Sequence, residues 1–231
     1  MLHVLVAPIL IAALLSGCSA PKPISPLPPD QVDKSPFTGI PCAAPCWHGL
    51  TVGKSTESDV TTTLGTLTFI DQKTINSHRM PSMPSTDPSI WAQGAEITAD
   101  CKYDERPCLT LRVVEDVLTE IVIELNYEIE VNAAIGYLGQ PDYVGYRNLG
   151  AEQIRCEIDL VWSKKQLVLV SALFEGPDEV EKNCSKLRHT GKIAPNLQIS
   201  NVRYLSAPAI EELRHTGAGE FFEFSGIAAT K

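Results

Sequence analysis

Residues 96–125 read "EITADCKYDERPCLTLRVVEDVLTEIVIEL". Leu109, Leu111 and Val113 alternate with Thr110 and Arg112, and Ile121, Ile123 and Leu125 alternate with Val122 and Glu124. A period of two over this length belongs to strands with one covered face. It predicts strands near 96–103, 108–114 and 117–125, turning at residues 104–107 and at Glu115-Asp116. A second stretch, "IRCEIDLVWSKKQLVLVSALF" at residues 154–174, reads as another hairpin that turns near Ser163 to Lys165. The fold class read from them is α+β, an antiparallel sheet meander with short helices on one face.

Outward from the strands lie helix signals. "GLTVGKSTESDVTTTLG", residues 49–65, gives a turn, a Ser55 or Thr56 cap with acids in the first turn, and a short helix with Val60 and Leu64 on one face. Thr61-Thr62-Thr63 forms a poor helix body. "EVNAAIGYLGQPDYVGY", residues 130–146, gives a helix ending at Gly139 and stopped by Pro141. Residues 77–89, "SHRMPSMPSTDPS", contain three prolines and read as a long loop, either a solvated connection or a partner-binding element.

Helix, meander, helix, meander is the outline of a duplication, with candidate repeats at 49–125 and 126–174 and a closing segment at 175–231. Superposing Leu64-Gly65 on Leu138-Gly139 matches Val60 with Ala134. With "GLTVGKSTESDVTTTLG" and "YLGQPDYV" as its two helical ends, the chain resembles extracytoplasmic proteins built like β-lactamase inhibitor protein and the small outer-membrane assembly lipoproteins. The resemblance covers roughly residues 49–174 and implies a helix-plus-antiparallel-sheet unit used as a protein-binding scaffold. It carries no binding residues to this chain.

The amino terminus sets location. Val4 to Leu15, "VLVAPILIAALL", spans roughly 18 Å as a helix at about 1.5 Å per residue, against about 30 Å for a bilayer core. Residues 1–17 therefore read as a signal peptide. The ending "LSGC" resembles the lipobox of bacterial lipoproteins, which implies cleavage before Cys18 and acylation of that cysteine, palmitate being one such acyl group. An ordinary secretory signal would also export the chain. Residues 18–41 form the lipidated cysteine and a tether, with seven prolines among residues 19–41, leaving 42–231 as the globular part. The expected localisation is extracytoplasmic, held on a bacterial membrane through the lipid.

The 231 residues carry 19 basic and 28 acidic side chains, a net charge of −9. That balance repels phosphate backbones and argues against a nucleic-acid partner. Setting Cys18 aside leaves Cys42, Cys46, Cys101, Cys108, Cys156 and Cys184, which in an oxidising compartment read as three disulfides. Fifteen connectivities exist for six cysteines, and local spacing favours Cys42 with Cys46, Cys101 with Cys108, and Cys156 with Cys184.

Chemistry is harder to find. "PCAAPCWHG", residues 41–49, is C-x-x-x-C, so it fits neither haem attachment nor the thioredoxin-like motif. It reads as a structural staple, with a labile redox pair or a metal site as alternatives. "LRHTG" occurs at Leu187 to Gly191 and again at Leu213 to Gly217. Each pentad closes a stretch of helical spacing with a glycine, which suits a helix cap better than a histidine metal pair. "LQISNVRYL" and "EFFEFS" read as strands. No catalytic motif, metal set or cofactor is predicted.

Two functional classes follow: a non-catalytic binding or structural module contacting another envelope protein, and an envelope hydrolase or thiol-disulfide enzyme with a dispersed site. For the first, Arg112, Glu124 and Glu157 are the expected contacts on a free sheet face, with Tyr or Trp anchors. Alternatively, residues 175–231 bury that face and recognition falls to the 77–89 loop.

Overall fold

The computed structural model describes residues 33–84, 91–102, 107–149, 155–216 and 219–228. The expected signal peptide, Cys18 and the expected tether up to residue 32 lie outside the described residues.

Residues 33–41, expected to end the tether, are folded. Helix α1 (Ser35–Thr38) buries Pro36 and Phe37, and Phe37 joins the main hydrophobic core. One fully buried phenylalanine contributes about 1.5–3 kcal/mol toward holding the segment against the body. The two-residue strands β1 (Cys46–Trp47) and β2 (Leu50–Thr51) then pair antiparallel. Helix α2 (Glu57–Leu64) begins at a capping box in which Thr56 and Asp59 satisfy each other's backbone N–H. This cap offsets the weak propensity of the threonine run, and Val60 and Leu64 are the buried face as predicted.

The period-two stretch forms β4 (Trp91–Asp100), β5 (Pro107–Val114) and β6 (Val117–Glu124), preceded by β3 (Asn76–Pro84). β3 corrects the expectation of a loop at 77–89 over residues 77–84, and residues 85–89 of it lie outside the described residues. Pro81 and Pro84 are tolerated because β3 is the edge strand, with a register shift between Met80 and Met83. Helix α3 (Val131–Leu138) ends at Gly139 and leads into β7 (Tyr143–Asn148), β8 (Arg155–Trp162) and β9 (Leu167–Ser171). The turn between β8 and β9 is a short 3₁₀ segment at Ser163–Lys165. β7 was missed in the sequence because its "YVGYRN" follows Pro141 and is interrupted by Gly145. That glycine is required, since a Cβ there would run into the Phe221 ring.

The C-terminal part begins with β10 (Phe174–Glu175) and a helical stretch made of α4 (Pro177–Val180), a π segment at Glu181–Ser185, and α5 (Lys186–Thr190). β11 (Ile199–Leu205), α6 (Ala207–Thr216) and β12 (Gly219–Glu223) follow. All of the long strands join one ten-stranded antiparallel sheet in the order β12-β7-β8-β9-β11-β6-β5-β4-β3, with β10 paired to β8. β11 bonds β6 on one side and β9 on the other, so this late strand is the seam between the two meanders. Its Val202 and Tyr204 are almost fully buried.

Strand register defines two faces. The inner one carries Leu109, Leu111, Ile121, Ile123, Leu160, Leu167, Leu169 and Val202, and shares a core with α1, α2, α3 and Leu187 of α5. α6 goes the other way: Ile210 and Leu213 pack with Val161, Val168, Val170 and Leu205 on the outer face. Short helices therefore cover the central inner face, and one helix covers part of the outer face.

The three disulfides are Cys42–Cys46, Cys101–Cys108 and Cys156–Cys184, with Cα separations of 5.6, 5.6 and 6.6 Å. These are the pairs that local spacing favours. They are bonds of an oxidising, extracytoplasmic environment.

Candidate functional site

The outer sheet face divides into two halves. On one half the register sets His78 of β3, Glu96 of β4, Arg112 of β5 and Glu120 of β6 in a row. The Arg112 guanidinium donates from Nε to Glu96 at 3.1 Å and from Nη1 to Glu120 at 2.6 Å. Its side chain is 43% exposed. Burial alone would lower the Arg112 pKa, but Glu120 and Glu96 outweigh it and raise the pKa above its ordinary value. The adjoining rows bring Thr98, Thr110, Val122 and Arg203, then Glu124 beside Asn201.

On the other half, Arg147 of β7 donates from Nε and Nη2 to Asp159 at 2.6 and 3.2 Å, and from Nη2 to Glu157 at 2.9 Å, both acids on β8. Asp159 is buried, with a side chain only 1% exposed. Burial raises its pKa, and the pull of Arg147, with a smaller one from Arg203, does not cancel that rise. Phe221 and α6 cover the strands beside it, and Arg214 of α6 lies 3.7 Å above the Tyr143 ring.

The three residues expected to make contacts, Arg112, Glu124 and Glu157, thus all lie on the outer face. Glu157 differs in kind, being bound into the Arg147 cluster. The alternative in which the C-terminal segment buries this face holds for the β7–β9 half only. The expected aromatic anchors are not on the open half among the described side chains: Trp47 and Trp162 are buried in the inner core, and Tyr143 is under Arg214.

The stapled loop is the second place where chemistry-bearing groups converge. Trp47 Nε1 donates to Asp33 Oδ2 at 2.8 Å, His48 Nε2 lies 3.3 Å from Oδ1, and the Ser35 N–H donates to Oδ1 at 2.9 Å. The Tyr127 hydroxyl donates to the Asp33 carbonyl at 2.9 Å. Burial would push the Asp33 carboxyl up, yet the hydrogen bonds from His48, Ser35 and Trp47 outweigh it and hold the pKa below the usual carboxylate value. Burial and then the Asp33 charge raise the Tyr127 phenol.

An acid beside a histidine can orient a general base. Here the same acid ties residues 33–35 to the loop, and its neighbouring hydroxyl is committed to a backbone carbonyl. A cleft lined by Asp33, Phe69, Cys101, Cys108, Ile123 and Tyr127 has room for no more than about one water molecule. The cluster acts as a clasp, with Asp33 as the member that the sequence reading left in the tether.

The histidine pentads behave as helix ends. Gly191 caps α5 in the left-handed region, its N–H bonding the Leu187 carbonyl at 2.7 Å. His215 lies 3.5 Å from Glu211 on α6, and Gly217 falls outside the described residues. Among the described residues no group of three His, Cys, Asp or Glu is arranged to hold a metal ion. Comparison with protein-family models, with curated proteins and with solved structures found no match to this chain.

Proposed function

We propose that this chain is an extracytoplasmic lipoprotein, acylated at Cys18, whose folded part is a non-catalytic module that binds another envelope protein. The open half of the outer sheet face is the binding surface. The observation that carries the reading is the Glu96–Arg112–Glu120 row, a prearranged set of charges on a sheet face that no helix of the described chain covers. Such a row fixes orientation and rejects partners of the wrong charge pattern more than it adds affinity. The unit of helix followed by meander, α2 with β3–β6 and α3 with β7–β9, supports the resemblance to the β-lactamase inhibitor protein type of scaffold. The "LSGC" stretch and the proline-rich segment after it support the anchor.

Capture from detergent-solubilised envelope tests the surface. Arg112→Glu should lose the captured protein, and Glu124→Lys should weaken it. Glu157→Lys is the control on the covered half. Unchanged capture by both open-half variants, with native circular dichroism, refutes this surface. Intact mass tests the anchor separately: the mature chain should start at residue 18 and carry acyl groups.

A further inference from the structure

Among the described residues, three large hydrophobic side chains are conspicuously exposed: Ile40 at 73%, Tyr137 at 63% and Leu173 at 40%. Two of them sit on elements that meet. The rings of Phe37 in α1 and Tyr137 in α3 lie 6.4 Å apart, and Ile40 follows directly on the left-handed Gly39 that caps α1. The two segments carry little charge of their own, although Lys165 reaches the end of α3, its Nζ donating to the Leu138 carbonyl at 2.9 Å. Ser35 to Gly53 contains no Asp, Glu, Lys or Arg, and neither does Val131 to Gln140. Exposed positions there include Thr38, Pro41, Ala43, Ala133 and Gly136. In sequence, Lys34 precedes α1, while Glu130 and Asp142 bracket α3.

The described chain begins beside this patch. Asp33, two residues before α1, is pinned by Trp47, Ser35 and Tyr127. The 15 residue steps from Cys18 to Asp33 span at most about 54 Å at about 3.6 Å per residue. Whatever holds Cys18 therefore lies within that reach of the start of α1.

We infer that the α1–α3 patch is a lipid-facing surface, through which the folded part rests on the bilayer that holds Cys18. This inference depends on the acylation proposed above. A chain of net charge −9 is repelled by anionic lipid over most of its surface. At the patch, whose two segments contain no acid and whose α3 end is met by the Lys165 ammonium, that repulsion is weakest. Tyrosine suits the headgroup level, with an apolar ring and a polar tip. α6 and the β7–β9 half of the outer sheet face lie on the opposite side of the sheet. A bilayer at α1 and α3 therefore leaves the outer face turned toward other proteins.

The test uses the acylated protein in phosphatidylcholine vesicles containing brominated phosphatidylcholine, which quenches tryptophan at the interface. Tyr137→Trp places a reporter in the patch, and Ala207→Trp places one at the exposed start of α6 on the opposite face. Corrected for the native tryptophans, quenching at position 137 should be at least about twice that at position 207, as expected for one interfacial and one solvated ring. Adding Ile40→Ser should bring the two together. Ile40→Trp repeats the measurement should Tyr137→Trp fail to fold.

Equal quenching at the two positions overturns the inference. So does a reporter signal at position 137 that changes only when envelope proteins are added, since the patch then faces a protein. Intact mass keeps the two proposals apart. If Cys18 carries no lipid, the same reporters are read with a hexahistidine tag in place of residues 1–18 on nickel-chelating vesicles, where equal quenching still refutes the patch.

Discussion

Arg112 and Arg147 both lie on the outer face of the sheet and each pairs with two carboxylates, Arg112 with one from each neighbouring strand and Arg147 with two from β8. The surroundings differ. The Arg112 side chain is 43% exposed and Glu96 30%, with Glu120 at 14% the enclosed member, whereas the Arg147 side chain is 15% exposed and Asp159 only 1%. In water the ions exchange one good set of contacts for another, so the first cluster is worth little to stability and is free to meet a partner. In the second, water cannot replace the arginine, so the cluster holds β7 to β8 and has nothing left to offer outside.

Substituting each arginine should break this parity. Arg147→Ala leaves Asp159 buried without its cation and should cost about 3–5 kcal/mol at neutral pH, read from urea unfolding. The loss should shrink as the pH falls, because a protonated Asp159 no longer needs a partner. A loss under about 1 kcal/mol would mean that the two clusters are energetically alike.

Next in size is the clasp. Asp33→Ala removes the acceptor of the Trp47 and Ser35 N–H groups and should cost about 1–3 kcal/mol, seen as a lower unfolding midpoint. Asp33 and Asp159 should also tilt the pH dependence in opposite senses. The Asp33 pKa is lowered by folding, so its contribution is present above the ordinary value of 3.8 and is lost as the pH falls through the lowered pKa. The Asp159 pKa is raised, so its contribution is present below 3.8 and is lost as the pH rises through the raised pKa. Unfolding midpoints of Asp33→Asn and Asp159→Asn between about pH 3 and 7 should therefore diverge from the parent chain in opposite directions.

The smallest stability effect belongs to Arg112→Ala, which should cost less than about 1 kcal/mol because Arg112 and Glu96 stay in contact with water. Its effect on partner capture should be the larger one. A variant as destabilising as Arg147→Ala would show that the open half is structural and would remove the ground for placing recognition there.

The same contrast explains what could be read early. Alternation in "CLTLRVV" and "LTEIVIEL" identified strands and even assigned Arg112 and Glu124 to the polar face, since a period of two is a local property. The Cys101–Cys108 and Cys42–Cys46 pairings were legible for a similar reason, their loops being too short to offer many competitors. Asp159 gave no such signal. It lies in "RCEIDLVW", where it looks like any outward-facing strand acid, and only β7, Phe221 and α6 take it out of water. Asp33 sits in a proline-rich context that resembles a tether, and its partners Trp47 and Tyr127 are 14 and 94 residues away. The loop expected at 77–89 failed on the prolines: proline disfavours a central strand, but whether a strand is central or at an edge depends on pairing order.

By itself the sequence pointed to the α+β class, most of the strands, a cap for α2 at Ser55 or Thr56, the favoured disulfide pairings and the oxidising environment that they imply. Each follows from interactions among residues close along the chain, or from composition. Only the tertiary structure decided that β11 joins the two meanders, that α6 closes half of the outer face, that residues 33–41 belong to the body, and which arginine is buried. Those outcomes depend on which distant segments compete for the same backbone hydrogen bonds and the same apolar surface. Such competition is settled by the whole chain at once, and no local pattern records its result.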